Sequence, residues 1–184
     1  MKNWRINIAL FLSLALLSFP ASAQRTMSGQ PSLHISVLYN GPSACAEAFF
    51  SQYTLGGYWQ AGLEGKHYST SISTGGKLDY IHTVASSGYM YRVAGTRNRL
   101  LNLYMGGRVF MGVEMTDPFH TLPSHISTGL KVYSFLYGLV PRMDVEVFFT
   151  RRCAFLLSAG LPINFSSKIS WLHYEAGVGL KIAL

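Results

Sequence analysis

The sequence predicts an all-β chain: a single antiparallel up-and-down β-barrel of about eight strands, outer-membrane type, after a cleaved signal peptide. Three observations predict it. The chain opens on an export signal, period-two alternation recurs along almost all the rest, and few charges are available to solvate a surface. Of 184 residues, 12% are charged and 49% hydrophobic, and glycine numbers 18. The clearest single stretch is the last, Trp171–Leu184. From Tyr174 its even positions are Tyr174, Ala176, Val178, Leu180, Ile182 and Leu184, and its odd ones Glu175, Gly177, Gly179, Lys181 and Ala183. One face is apolar and the other charged or tiny, which is a strand with two unlike neighbours.

The export signal is Lys2 and Arg5, an apolar run from Ile6 to Phe19, then Pro20-Ala21-Ser22-Ala23. A basic start, an apolar core and a small-x-small site describe a secretory signal peptide, here residues 1–23 with cleavage after Ala23. The run is shorter than the ~20 residues of a membrane-spanning helix. Gln24 stands where a lipoprotein would need cysteine, so no lipid anchor is expected. Residues 24–184 then form one domain. With Lys2 and Arg5 set aside, 13 basic residues face 8 acidic ones, scattered singly or in pairs. Nucleic-acid binding asks for a clustered basic patch with interleaved aromatics, so none is expected directly. No later apolar stretch approaches ~18 residues, which excludes a helical membrane bundle.

Eight strand candidates follow in order. Leu33–Asn40 sets Leu33, Ile35, Val37 and Tyr39 against His34, Ser36 and Asn40, and Gly41-Pro42-Ser43 turns the chain. Ala44–Leu55 has no readable phase, because Phe49-Phe50 loads both faces. After the Gly56-Gly57 hairpin signal, Tyr58 to about Tyr68 sets Trp59, Ala61 and Leu63 against Gln60, Gly62, Glu64 and Lys66. Beyond a polar loop, Leu78–Val93 opposes Ile81, Ala85, Tyr89, Tyr91 and Val93 to His82, Ser86, Gly88 and Arg92. Leu100–Met115 opposes Leu101, Leu103, Met105, Val109, Met111, Val113 and Met115 to Asn102, Gly106, Arg108, Gly112 and Glu114. Thr116–Lys131 reads as a long loop. Val132–Phe149 carries Arg142, Asp144 and Glu146 on its polar face, and Pro141 inside it predicts a bulge or break near Val140–Arg142. Cys153–Phe165 and the final strand complete the set.

Periodicity alone fits a soluble sandwich equally well, since both folds alternate. Composition favours the barrel. The polar faces are rich in Gly and Ser, and their charges balance: Glu64, Glu114, Asp144, Glu146 and Glu175 against Lys66, Arg92, Arg108, Arg142 and Lys181. Buried charges require partners, so this balance suits a plugged lumen and speaks against an open pore. Loop lengths agree in part. Connections after the second, fourth and sixth strands are short and those after the third and fifth are long, as when short turns face the periplasm, although those after the first and seventh are short too. Tyr39, Trp59, Tyr91, Tyr133, Phe149, Trp171 and Tyr174 near strand ends suit interfacial girdles, as they suit ordinary strands. Cys45 and Cys153 fall at opposite ends of their strands, farther apart than the ~7 Å a disulfide spans, so two free thiols are expected.

The search for chemistry yields no catalytic site. His120, Ser124, His125 and Ser127, with Asp117 nearby, share one Pro-containing loop, but proximity in a loop is not a nucleophile bonded to a base. His120, His125 and His173 lack metal-site spacing. No cofactor, metal or small-molecule substrate is expected.

From Leu122 on, five segments in order resemble the conjugative transposon protein TraO family of Bacteroidetes. They are Leu-Pro-Ser-His-Ile-Ser-Thr-Gly, Ser-Phe-Leu-Tyr-Gly-Leu-Val-Pro-Arg, Phe-Phe-Thr-Arg-Arg, Leu-Pro-Ile-Asn-Phe-Ser-Ser and His-Tyr-Glu-Ala-Gly-Val-Gly-Leu. The likeness is close over Leu122–Leu184 and looser from Leu33 to Met115. It implies an outer-membrane β-barrel, with a periplasmic N-terminus, in the type IV secretion-like DNA-transfer apparatus of a conjugative transposon. Its partners would be other proteins of that apparatus and outer-membrane lipid. The family brings no catalytic residues, and an exported barrel enzyme or adhesin at the outer envelope is the competing class. Arg97, Arg99, Arg151 and Arg152 fall on short turns expected to face the periplasm, where they either dock acidic partners or serve as solvated turn charges.

Overall fold

A computed structural model of the chain describes residues 28–40, 43–71, 77–97, 99–116, 133–167 and 171–184. The expected signal peptide lies outside these residues, as do His120, Ser124, His125, Ser127 and Asp117. The alternating segments form strands β1 (Pro31–Asn40), β2 (Ser43–Tyr53), β3 (Gly57–Ser71), β4 (Lys77–Gly95), β5 (Leu101–Thr116) and β6 (Tyr133–Phe148). They are followed by β7 (Cys153–Gly160), the two-residue β8 (Ile163–Asn164) and β9 (Glu175–Ala183). Each of β1 to β6 pairs antiparallel with the next. Both β7 and β8 pair with β6, so together they make one interrupted barrel strand. β9 pairs with β7 and with β1, running from Ser32↔Ala183 to Tyr39↔Ala176. The wall is therefore closed, with eight strands around it. Closure gives each long strand a partner on both sides, so in hydrocarbon the ladder N–H and C=O groups are satisfied internally, apart from the break between β7 and β8.

Burial settles barrel against sandwich. On the outward face Ile35 is 67% exposed, Val109 64%, Phe135 63% and Val178 60%. On the inward face Glu47, Glu64, Lys66, Arg108, Arg142, Asp144, Glu146, Glu175 and Lys181 are all buried. A water-soluble fold reverses this arrangement, since a contiguous apolar surface circling the molecule would drive aggregation. In a bilayer it is the favourable one. Tyr39, Tyr133, Trp171 and Tyr174 are exposed near the end that carries the long connections, and Trp59 and Tyr91 near the end of the short turns. Phe149 is half-buried there. The aromatics thus occupy the two levels of interfacial girdles. β2, whose phase the sequence leaves open, points Cys45, Glu47, Phe49, Ser51 and Tyr53 inward and Ala46, Ala48 and Phe50 outward. Cys45 and Cys153 are free, at opposite ends of β2 and β7.

Pro141 does not bulge β6. The β5–β6 register runs unshifted through Gly106↔Arg142, Gly107↔Pro141 and Arg108↔Val140. The break falls on the other side, where β7 ends opposite Arg142 and β8 resumes opposite Leu139. Pro141 and Pro162 both lack the N–H that this stretch of ladder would use, and Leu161 N donating to Pro141 O, at 3.0 Å, is what bridges the gap. The register shift in the wall lies instead in β4, between Arg92 and Ala94.

Inward glycines make room for the large lumenal side chains. A Cβ on Gly138 would stand 2.5 Å from the Phe110 ring. One on Gly177 would stand 2.1 Å from Val37 O and 2.5 Å from Leu38 Cα, at the seam that closes the barrel. Gly177→Val is expected to abolish the heat-modifiable gel mobility of a folded barrel. Gly65→Ala, on the open outer face with nothing within 4 Å of the added carbon, should retain it.

Candidate functional site

The lumen is where the polar chemistry of the chain is gathered, in layers that follow from the period of two. At the short-turn end Tyr53, Tyr58, Met90 and Tyr104 form a buried cluster, with Tyr58 edge-on to Tyr53 and Tyr104. Lys181 Nζ lies 3.4 Å from the Tyr58 ring centroid and donates to Glu146 Oε1 at 2.6 Å. Tyr53 OH donates to both Glu146 oxygens at 3.1 Å, and Tyr58 OH donates to Asp144 Oδ2 at 2.6 Å.

Arg142 occupies the next layer. Its Nη1 donates to Glu47 Oε2 at 2.8 Å, its Nε to Asp144 Oδ1 at 2.7 Å and its Nη2 to Ser158 Oγ at 2.7 Å. The bonds to Glu47 join β6 to β2 across the barrel axis. Glu47 also accepts from Ser36 Oγ at 2.9 Å and from Arg108 Nη1 at 3.2 Å. The Arg108 guanidinium in turn lies 4.5 Å from the Phe49 ring centroid. Above it, Lys66 Nζ bridges Glu64 Oε2 at 2.8 Å and Glu175 Oε2 at 2.9 Å, tying β3 to β9. Val84, Phe110, Leu136 and Val140 fill the lumen beside β4, β5 and β6. Toward the long-loop end Glu114 accepts from Ser134 Oγ at 3.1 Å and Ser167 Oγ at 2.7 Å, and pairs with His82 Nε2 at 3.0 Å. Tyr68 stacks on Tyr80 and on His173 there.

Side chains from opposite walls thus meet at every level, and the lumen is filled. Single contacts in it are strong, because charge-assisted bonds shielded from water act at low dielectric. Ser134 and Ser167 donate to a carboxylate rather than to a histidine. A serine–histidine contact among the described residues, Ser51 Oγ to Nδ1 of His34 at 3.4 Å, is buried beside the stacked Phe49 ring. Among the described residues no three His, Cys, Asp or Glu side chains form a metal-binding group.

Nine of the ten charges expected in the lumen are there: Glu64, Lys66, Arg108, Arg142, Asp144, Glu146, Glu175 and Lys181 in its interior, and Glu114 near its mouth. Arg92 is not. It lies exposed beside the shift in β4, two residues past Met90 of the layer that closes this end and opposite Tyr104 in register. Glu47 replaces it, so six acidic side chains meet four basic ones, with His34 and His82 buried among them. The expected balance of five and five is corrected accordingly. Glu47 escaped because Phe49 is a lumenal aromatic, stacked on His34 and Arg108, on a strand read by its large residues. The signal that finds it is polar: Ser43, Glu47 and Ser51 recur on one face of β2. Arg97, Arg151 and Arg152 are exposed and Arg99 is half-buried, all on the turns of one end.

The closed wall, apolar coat and charged core define a transmembrane β-barrel of outer-membrane type. Solved structures share this fold. The N-terminal β-barrel domain of Pseudomonas aeruginosa OprF aligns with TM-score 0.52 and 8% identity over 85% of this chain and 98% of that one. Ail, the attachment invasion locus protein of Yersinia pestis, aligns with TM-score 0.50 and 10% identity over 85% of this chain and 99% of its own. A search of curated proteins returns no match. The family model of conjugative transposon protein TraO matches residues 50–184, and the chain belongs to that family.

Removing Arg142 leaves Glu47 and Asp144 facing each other without their shared cation. Arg142→Met is expected to lower stability by about 3–5 kcal/mol, as for breaking a buried pair. Urea unfolding in lipid vesicles measures this, and adding Glu47→Gln to the same chain should recover part of the loss.

His173 lies between β8 and β9, its ring centroid 4.4 Å from that of Tyr68 and its Nε2 unpartnered. Burial, then His82 and Lys66, pull its pKa down to about 4. The unfolded segment titrates near ~6.5, so closure is favoured above that pH and loses stability as pH falls toward 4. The protection factor of the amides at 171–174, the exchange rate corrected for its intrinsic pH dependence, should fall across this window by up to about tenfold per pH unit, and His173→Phe should flatten the response.

Proposed function

We propose that this chain is a structural and partner-binding component of the type IV secretion-like DNA-transfer apparatus of a conjugative transposon. In this reading it is inserted in the outer membrane as a sealed barrel after removal of residues 1–23, and it is not an enzyme. The observation that carries it is the Arg142 knot within a chain of the TraO family: charges from β2 and β6 neutralise each other across the axis instead of lining a passage. The lumen then serves as the core that holds the wall, and contacts with other proteins are left to the parts outside the bilayer. The apolar band and its aromatic ends supply the match to outer-membrane lipid. In this reading DNA is not contacted directly: Lys66, Arg108, Arg142 and Lys181 are paired inside the lumen.

Deletion of the gene is expected to abolish conjugative transfer, and the intact gene to restore it. A copy with His120, Ser124, His125 and Ser127 all replaced by alanine should restore transfer fully. Loss with that copy would instead favour a catalytic loop. The protein should fractionate with the outer membrane and run with heat-modifiable mobility.

A further inference from the structure

Among the described residues, one end of the barrel gathers arginines. Arg92, Arg97 and Arg99 sit on the β4–β5 hairpin, and Arg151 and Arg152 on the β6–β7 hairpin beside it. The remaining turn at this end, Thr54-Leu55-Gly56, has no charged residue. Of the eight acidic residues in the chain, six are drawn into the lumen network. Asp79 pairs with Ser69 at the other end of β4, and Asp117 is outside the described residues. Among the described residues, therefore, no acidic side chain is exposed beside Arg92, Arg97, Arg151 and Arg152.

The surface that carries them is also preorganised. Thr96 N donates to Leu101 O at 2.9 Å, Leu101 N to Thr96 Oγ1 at 3.1 Å and Arg99 N to Thr96 O at 2.9 Å. Arg99 sits at φ 57°, the left-handed region, and Asn102 Nδ2 donates to its carbonyl at 3.2 Å. In the second hairpin Thr150 Oγ1 accepts from Cys153 N at 2.9 Å and Arg152 N at 3.2 Å. Phe148 N donating to Leu100 O at 2.8 Å ties the two hairpins together. The register shift after Arg92 brings it into one recess with Arg97 and Arg99. A site held this way loses little entropy on binding.

Reach decides between lipid and protein as the acidic partner. β4 continues four residues beyond Tyr91 of the aromatic girdle, to Gly95. At ~3.3 Å per residue this is about 13 Å along the strand, and about 10 Å along the membrane normal at a ~40° tilt. The headgroup layer on one side is only ~5–7 Å thick, from a bilayer of ~40–45 Å around a ~30 Å core. Arg97 and Arg99, past Gly95, therefore stand in water beyond the phosphates.

We propose that this face is the docking site for an acidic segment of a periplasmic partner protein. Asp and Glu carboxylates would take the forked guanidinium donors of Arg97, Arg151 and Arg152, and one would enter the Arg92 recess. The proposal rests on the reading of the chain as an outer-membrane component whose short turns face the periplasm.

Two variants test it, Arg92→Glu with Arg97→Glu, and Arg151→Glu with Arg152→Glu. Each is first checked for heat-modifiable mobility, so that only folded barrels are compared. The purified full-length barrel in zwitterionic nanodiscs is titrated with a fluorescent octaglutamate peptide, and in parallel with anionic phosphatidylglycerol vesicles. The expected result is peptide binding weakened at least about tenfold by each variant, with vesicle binding unchanged and transfer lost in cells. Transfer at the parental level in both variants would overturn the docking site, and so would unchanged peptide binding. Loss of vesicle binding with peptide binding intact would overturn it in favour of lipid phosphates. If deletion of the whole gene leaves transfer intact, the proposed function itself fails, which separates the two outcomes.

Discussion

The bridge from Arg142 to Glu47 and Asp144 is the constraint on which the rest of this structure depends. A small barrel has no room for water to solvate ions, and lipid cannot solvate them either. Each charge that the alternation turns inward must find its counterion on another wall. Arg142 does so with a forked guanidinium that one β2 carboxylate and one β6 carboxylate share. Desolvating those groups is costly, and the network is repaid mainly in uniqueness of register. A one-residue slip of any strand would turn these charges into hydrocarbon and apolar side chains inward.

The same constraint explains the uneven face of the lumen. Phe49, Phe110, Tyr58 and Tyr104 are as much interior residues as the ions, because aromatic faces accept the cations and fill the space between them. Glycines opposite them thin the wall where the rings lie, as Gly138 does for Phe110. The core is thus polar by charge and aromatic by volume. Beyond it, buried Tyr and His rings stack toward one end, and arginines sit on the turns at the other.

Most strand positions, and the inward set on β3, β5, β6 and β9, were legible in the sequence because a strand in a closed wall has two unlike faces. Legibility failed where that contrast is weak. On β2 the outward residues include Ala44, Ala46 and Ala48, small enough to suit either side, while Phe49 looks outward and is not. On β4 the alternation continues through Arg92 in sequence, but the shift before Ala94 and the end of the wall leave its side chain in the open. Pro141 announced a break correctly and its location incorrectly, because a missing donor matters only to the neighbour it would have faced.

By itself the sequence determined the class of protein: alternation sets strands, scarcity of charge requires a lumen rather than a solvated face, and the ordered segments after Leu122 set the family. Tertiary structure alone decided which charges are partners. Pairing across the axis joins residues as far apart as Glu47 and Arg142, and no local period records it. It depends on which strands lie opposite once β9 has closed on β1. For the same reason only the closed wall shows that six of the eight acids are drawn inside while, among the described residues, arginines are displayed at one rim.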